Sequence, residues 1–146
     1  MAEERTSSNT GAQEPLNAPR PLCIVIVDDD RDAVWTMMMV LRHEGHEAYG
    51  AHSAQQALDA VLKHDPDAVL LDIGLPAVSG HEIAREIRAR HGNARPVLIG
   101  ISGKYKQGSD KILAEINGFD HYLTKPYEPS SVLRILEPLR LKGRSG

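Results

Sequence analysis

Six side chains suited to holding a divalent cation or a phosphoryl group follow closely on apolar runs of the chain. Asp28-Asp29-Asp30 comes after Leu22–Val27 (LCIVIV), and Asp72 comes after Ala68–Leu71 (AVLL). Ser102 comes after Pro96–Ile101 (PVLIGI), and Lys125 stands just beyond Phe119–Leu123. Taken singly, each has an ordinary explanation. An Asp run before a helix caps it and complements its dipole. Ser102 would serve as a loop hydroxyl, and Lys125, before Pro126, would sit at a turn. Asp72 is the least ordinary, because it directly follows a run with the character of a buried strand. All of them at one edge is a different matter.

Clustered carboxylates repel, and one of them takes a raised pKa unless a cation neutralises the group. A hard ion such as Mg²⁺ prefers oxygen ligands, keeps several waters and takes one or two carboxylates from the protein. A metal and the Lys125 ammonium would stabilise charge on phosphoryl oxygens, and Ser102 would add a neutral hydrogen bond. A carboxylate such as Asp72 can itself be the nucleophile and form an acyl phosphate. Nucleotide cradles fit poorly. No glycine-rich loop follows the first apolar run, and Gly100-Ile-Ser-Gly103-Lys104 is too short for a P-loop and lacks the Ser or Thr after Lys. The chemistry points to aspartyl phosphorylation.

The elements that must position these groups alternate along the chain. Leu22–Val27 reads as a strand buried on both faces. Asp32–Glu44 reads as a helix carrying Val34, Met37, Met38 and Leu41, closed by Gly45. Asp30 is read as the cap of this helix, with a supporting role beside the acidic residues left open. Glu47–Gly50 is a weak second strand. Ser53-Ala-Gln-Gln56 matches a capping box, with Ala54, Ala57, Leu58, Val61 and Leu62 on one face of the next helix. Ala68–Leu71 is the third strand. Ser79-Gly-His-Glu82 is a second capping box, opening a helix to about Arg90 with Ile83, Ala84 and Ile87 inward. Pro96–Ile101 is the fourth strand. A helix over Ser109–Asn117 with Ile112, Leu113 and Ile116 ends at Gly118. Phe119–Leu123 is the fifth strand, and a last helix from about Pro129 is expected to stop or kink at Pro138. Strands alternating with helices over short connections imply a three-layer α/β sandwich on a parallel sheet. Its ligands bind at the carboxyl ends of the strands.

Composition agrees with one domain. The chain has 146 residues, 41% hydrophobic and 25% charged, with a net charge of −3. That balance gives no cationic surplus for a nucleic-acid backbone. The longest apolar runs fall far short of the roughly 20 residues that span a bilayer. Met1–Arg20 lacks the apolar stretch of a secretory signal, so a cytoplasmic location is expected. That segment holds one large apolar residue, Leu16, and is read as a disordered tail. The single Cys23 is read as a small core residue, and the consecutive methionines as core packing. The seven histidines are read as structural or exposed.

The segments IVIVDDD, VLLDIGLPAVSGHEIA, LIGISG and GFDHYLTKPY resemble the receiver domains of two-component response regulators, over about Pro21 to Leu141. The resemblance implies a flavodoxin-like (βα)5 fold, an α/β sandwich with strand order 2-1-3-4-5. It implies that Asp72 is the phosphoacceptor and that Asp28 and Asp29 are the acidic pair. Asp29 would hold Mg²⁺ directly, Asp28 mostly through water, and the Gly74 backbone carbonyl would be a further ligand. Ser102 falls on the switch hydroxyl, Tyr122 on the switch aromatic and Lys125 on the family lysine, whose bond to Pro126 is typically cis. Ser79 stands where Asp is common and should cap its helix equally well. Gly74 and Lys104 occupy positions that tune phosphoryl lifetime, in opposing senses here.

The resemblance further implies a sensor histidine kinase or histidine phosphotransfer protein as donor, and a downstream protein as target. The usual output face corresponds to about Ser109–Glu137, where homodimers also form. With residues 142–146 as a short tail, a stand-alone receiver is expected, acting through another protein in a phosphorelay. No direct nucleic-acid or membrane partner is expected. Two alternative readings make different demands on the chain. A haloacid dehalogenase-type phosphatase would use Asp28 and Asp30 as its DxD pair. That class needs a cap domain, which is not expected here, and acidic ligands after the lysine strand, where only Glu128 and Glu137 follow. A receiver-like scaffold acting without phosphorylation would not need the complete set of groups.

Overall fold

The computed structural model describes residues 19–103 and 107–141. The expectations for residues 1–18, Lys104 and 142–146 lie outside them. Five strands and five helices alternate: β1 (Cys23–Val27), α1 (Arg31–His43), β2 (Glu47–Ala51), α2 (Ala54–His64), β3 (Ala68–Asp72), α3 (Gly80–His91), β4 (Val97–Ser102), α4 (Gln107–Ile116), β5 (His121–Thr124) and α5 (Pro129–Arg140). The sheet is parallel with order β2-β1-β3-β4-β5. This is the flavodoxin-like arrangement expected from the sequence.

Strand alternation divides the core into two layers. Val25, Val27, Val69, Leu71 and Leu98 pack with Ala57 and Val61 of α2, Ile83, Ala84 and Ile87 of α3, and Ala114 of α4. Ile24, Ile26, Leu70, Ile99 and Ile101 face the other way, onto Val34, Met37 and Leu41 of α1 and Val132 and Leu136 of α5. Each large aliphatic side chain buried this way contributes about 1.5–3 kcal/mol. Such a core can tolerate charges crowded at one edge of its sheet.

The helices start where the sequence places their caps. Asp30 accepts from the amides of Asp32 (3.0 Å) and Ala33 (3.2 Å), which opens α1. Ser53 Oγ accepts from the Gln56 amide, while Gln56 Oε1 accepts from the amide of His52 rather than of Ser53. The second half of that capping box is thus shifted by one residue. Ser79 Oγ accepts from the His81 amide at 3.0 Å, so Ser79 does cap α3. At the opposite edge of the sheet Arg88 ties α3 to two loops. Its Nε donates to Gly118 O, its Nη1 to Pro96 O and its Nη2 to Asp120 at 2.7 Å.

Five expectations need correction. Of the consecutive methionines read as core packing, Met37 is buried but Met39 is 48% exposed, because it turns to the outer face of α1. Helix α5 runs through Pro138 to Arg140. Proline there removes only one amide, whose acceptor would be the Arg134 carbonyl near the helix end, and the buried Val132 and Leu136 hold the helix down. Leu62 of α2 is 70% exposed, because Ala57 and Val61 fill the contact instead. Ile112, Leu113 and Ile116 of α4 are exposed too, and among the side chains described in that helix Ala114 is the buried one. Cys23, at the first position of β1, is half-buried rather than fully in the core.

Candidate functional site

The carboxyl ends of β1, β3, β4 and β5 bring the expected groups to one edge. Asp72 ends β3 in register with Ile101, and Ser102 ends β4 opposite Thr124. Alternation decides which way they face. Asp72 continues the Ala68, Leu70 series on the α1–α5 side, and Asp28 and Lys125, each one residue past a strand, continue the matching series. Ser102 continues the Leu98, Gly100 series of β4 on the other side, and Tyr122 of β5, paired with Gly100, belongs to that side too. The Tyr122 ring packs against the α2–α3–α4 core.

The three groups on the α1–α5 side meet directly. Lys125 Nζ donates to Asp28 Oδ2 at 3.2 Å and to Asp72 Oδ2 at 3.4 Å. Each carboxylate keeps its second oxygen on backbone: Asp28 Oδ1 accepts from the Asp30 amide and Asp72 Oδ1 from the Gly74 amide. Both acids are buried, whereas Asp29 is exposed. The Lys125 amide donates to Ser102 O at 2.7 Å, so the lysine and the hydroxyl residue are joined through backbone. The Lys125–Pro126 bond is cis, as expected.

Electrostatics follow from this crowding. Burial pushes the Asp72 carboxyl above its usual range; the Gly74 amide opposes the shift, Asp28 adds to it and Lys125 opposes it. Burial pulls the Lys125 ammonium down, but Asp72 and Asp28 outweigh burial and the net shift is upward. Lysine is therefore held firmly as a cation beside an acid that resists ionisation. A divalent ion would relieve that resistance.

The donor set fits such an ion. Carboxylate oxygens of Asp28, Asp29 and Asp72 all lie within 4.8 Å of one another. They are hard ligands, with Asp29 open to solvent, which matches the preference of Mg²⁺ for one or two carboxylates plus water. Three carboxylates against one ammonium also leave a surplus of negative charge.

Gly74 leaves the approach to Asp72 clear, since a Cβ there would stand 3.6 Å from Asp72 Oδ1. Gly80 permits the start of α3 to touch the strand end, because a Cβ would lie 2.6 Å from both Asp72 O and Ile73 Cα. Between them, Ala77 adopts φ 70°, a left-handed conformation that glycine takes more readily. Sequence reasoning did not single out three neighbours of the site. They are Ala77, Tyr127 and His52. Tyr127 lines a concavity with Asp28, Asp30, Ala33, Lys125 and Pro126, and burial, then Asp28, raises its phenol pKa. His52 Nδ1 lies 3.2 Å from the backbone oxygen of Asp28.

Comparison with known proteins agrees with this geometry. A family model described as response regulator receiver domain matches residues 24–137. A CheY-like receiver domain protein from Methanospirillum hungatei JF-1 superposes with a TM-score of 0.74 at 24% identity, covering 82% of this chain and 94% of its own. A putative response regulator from Chloroflexus aurantiacus J-10-fl gives 0.73 at 28% identity, covering 84% and 100%. The N-terminal domain of an uncharacterized protein from Wolinella succinogenes gives 0.72 at 31% identity, covering 82% and 94%.

Proposed function

The chain belongs to the response regulator receiver domain family, and from that premise we propose that it is a phosphorylation switch with Asp72 as its phosphoacceptor. The observation that carries the reading is the placement of the Lys125 ammonium between Asp28 and Asp72, at 3.2 and 3.4 Å. It sets a fixed cation beside a buried carboxylate whose approach is clear.

A carboxylate oxygen of Asp72 attacks the phosphorus of a phosphohistidine on a sensor kinase or phosphotransfer protein. The new O–P bond forms as the P–N bond breaks, and the imidazole nitrogen leaves with the electron pair. Asp28, Asp29 and Asp72, with the Gly74 carbonyl, would hold Mg²⁺, which supplies charge neutralisation for phosphoryl oxygens. Lys125 provides the protein's own share of that neutralisation. Gly74 keeps the path of the incoming group open. Ser102 then donates its hydroxyl to the phosphoryl oxygens, and Tyr122, on the same side of the sheet, turns with it.

The switch acts on other proteins rather than turning over a substrate. At most it takes a phosphoryl group from small donors and hydrolyses its own acyl phosphate. The exposed Ile112 (59%), Leu113 (45%) and Ile116 (74%) of α4 support an output face over α4, β5 and α5, for a downstream target or a second copy. Residues 21–141 would form the receiver, placed in the cytoplasm, where histidine kinases present their phosphohistidine. The small net charge of −3 favours a protein partner over nucleic acid. Asp30 spends its carboxylate on two amides of α1, which weighs against its use as the second acid of a phosphatase DxD pair. The test is phosphotransfer from a panel of phosphorylated histidine kinases and phosphotransfer proteins. Rapid transfer from at least one, absent in Asp72→Asn, supports the reading; transfer that Asp72→Asn retains would overturn it.

A further inference from the structure

Asp28 is held at both ends of its backbone by the corner between β2 and α2. Its amide donates to Ala51 O at 3.1 Å, and its carbonyl lies 3.2 Å from His52 Nδ1. A carbonyl can only accept, so the ring nitrogen must carry the hydrogen. The half-buried His52 is in turn anchored through its own amide, which donates to Gln56 Oε1 at 2.8 Å. Imidazole, peptide group and α2 thus form a short connected frame.

The orientation of the Asp28 carbonyl sets the plane of the Asp28–Asp29 peptide. That plane directs Cα of Asp29, and so the exposed carboxylate that must converge with Asp28 and Asp72. Among the described residues, no hydrogen bond or ion pair holds the exposed Asp29 side chain itself. Three like charges favour spreading apart, so convergence needs a backbone that does not yield. We propose that His52 is a positioning residue for the cation site: its Nδ1–H holds the Asp28–Asp29 peptide in the orientation that makes the carboxylates converge. The proposal rests on the receiver reading, because the cation it serves is the one that reading assigns. Groups next to a metal site that orient its ligands characteristically affect affinity when removed.

The experiment compares His52→Leu and His52→Asn with the wild-type full chain. Asparagine places its amide nitrogen where Nδ1 stands and keeps the donor; leucine keeps bulk and removes it. Mg²⁺ binding is read by titration calorimetry, folding by circular dichroism, and the wild-type ring hydrogen by two-bond ¹H–¹⁵N spectra at pH 8. The proposal expects at least about tenfold weaker Mg²⁺ binding in His52→Leu, recovery in His52→Asn, and a hydrogen on Nδ1 in the wild type. Unchanged affinity in a folded His52→Leu, equal loss in both variants, or a hydrogen on Nε2 alone would overturn it. Should His52→Leu not fold, the His52→Asn affinity and the wild-type spectrum decide. A wild-type protein that binds no Mg²⁺ overturns the receiver reading, and this inference with it; normal wild-type binding with an insensitive His52→Leu overturns the inference alone.

Discussion

Lys125 and Asp72 stand 53 positions apart in the chain, yet the lysine Nζ reaches an Asp72 carboxylate oxygen at 3.4 Å. The contact exists because β5 joins the sheet beside β4, and β4 beside β3, so their carboxyl ends share one edge. Lys125→Ala removes the one ammonium that, among the described residues, stands between the two buried acids. Phosphorylation of Asp72 by acetyl phosphate is expected to slow by at least about tenfold. Mg²⁺ binding should not weaken in parallel, because a competing cation has been removed. Quench-flow phosphorylation and calorimetry on the same variant separate the two effects. Equal loss in both would mean that Lys125 acts only by holding the site together.

Gly80 is expected to tolerate no side chain. Its amide donates to Ile73 O, and a Cβ would fall within 2.6 Å of backbone atoms of Asp72 and Ile73, which cannot swing aside. Gly80→Ala should cost about 1–3 kcal/mol in urea unfolding and displace the loop that leads from Asp72 into α3. A stability equal to wild type would show that α3 slides freely over that strand end.

Ala77 provides the opposite case. At φ 70° it holds a backbone conformation that favours glycine. Ala77→Gly is expected to stabilise the protein by about 0.5–1 kcal/mol, seen as a raised melting temperature. A lower melting temperature would contradict the strain.

His46 predicts a pH response far from the site. Its buried Nδ1 accepts from the Leu22 amide at 3.0 Å. Burial, with Arg140 adding to it, lowers its pKa below the usual 6.5. The unfolded chain therefore takes up the proton first. The stability contributed by neutral His46 is complete above pH 6.5 and is lost as the pH falls from there toward the lowered folded value. Denaturant titrations at pH 8 and pH 5.5 should show that loss in the wild type. His46→Asn, which keeps an acceptor for Leu22 but does not titrate, should lose less. An identical decline in the two proteins would place the pH response elsewhere.

Much of the candidate site was legible because Asp28, Asp72 and Ser102 each follow an apolar run, and strand-end position alone sends them to the same edge of the sheet. Lys125 stood out by its place before Pro126 and after the fifth apolar run, and the structure brings its ammonium to Asp28 and Asp72. What remained hidden depends on tertiary packing. A helical wheel gives α4 an apolar side at Ile112, Leu113 and Ile116, but the sheet accepts Ala114 instead, since helix orientation is fixed by the neighbours it meets. Leu62 was misread for the same reason. Pro138 reads as a breaker, yet near a helix end the lost hydrogen bond is outweighed by the burial of Leu136. His52 left no sequence signal at all. Its contact joins a ring nitrogen to a backbone oxygen 24 positions away, and any residue type can supply that oxygen.

The central claim is that Asp72 forms the acyl phosphate. Its most direct measurement is intact-protein and peptide mass spectrometry after incubation with acetyl phosphate and Mg²⁺. The expected result is one adduct of about 80 Da, the mass of an added phosphoryl group, mapped to the peptide carrying Asp72. It should be present in Asp30→Asn and absent from Asp72→Asn. An adduct that survives in Asp72→Asn, or none in the wild type with Mg²⁺ bound, would contradict the account.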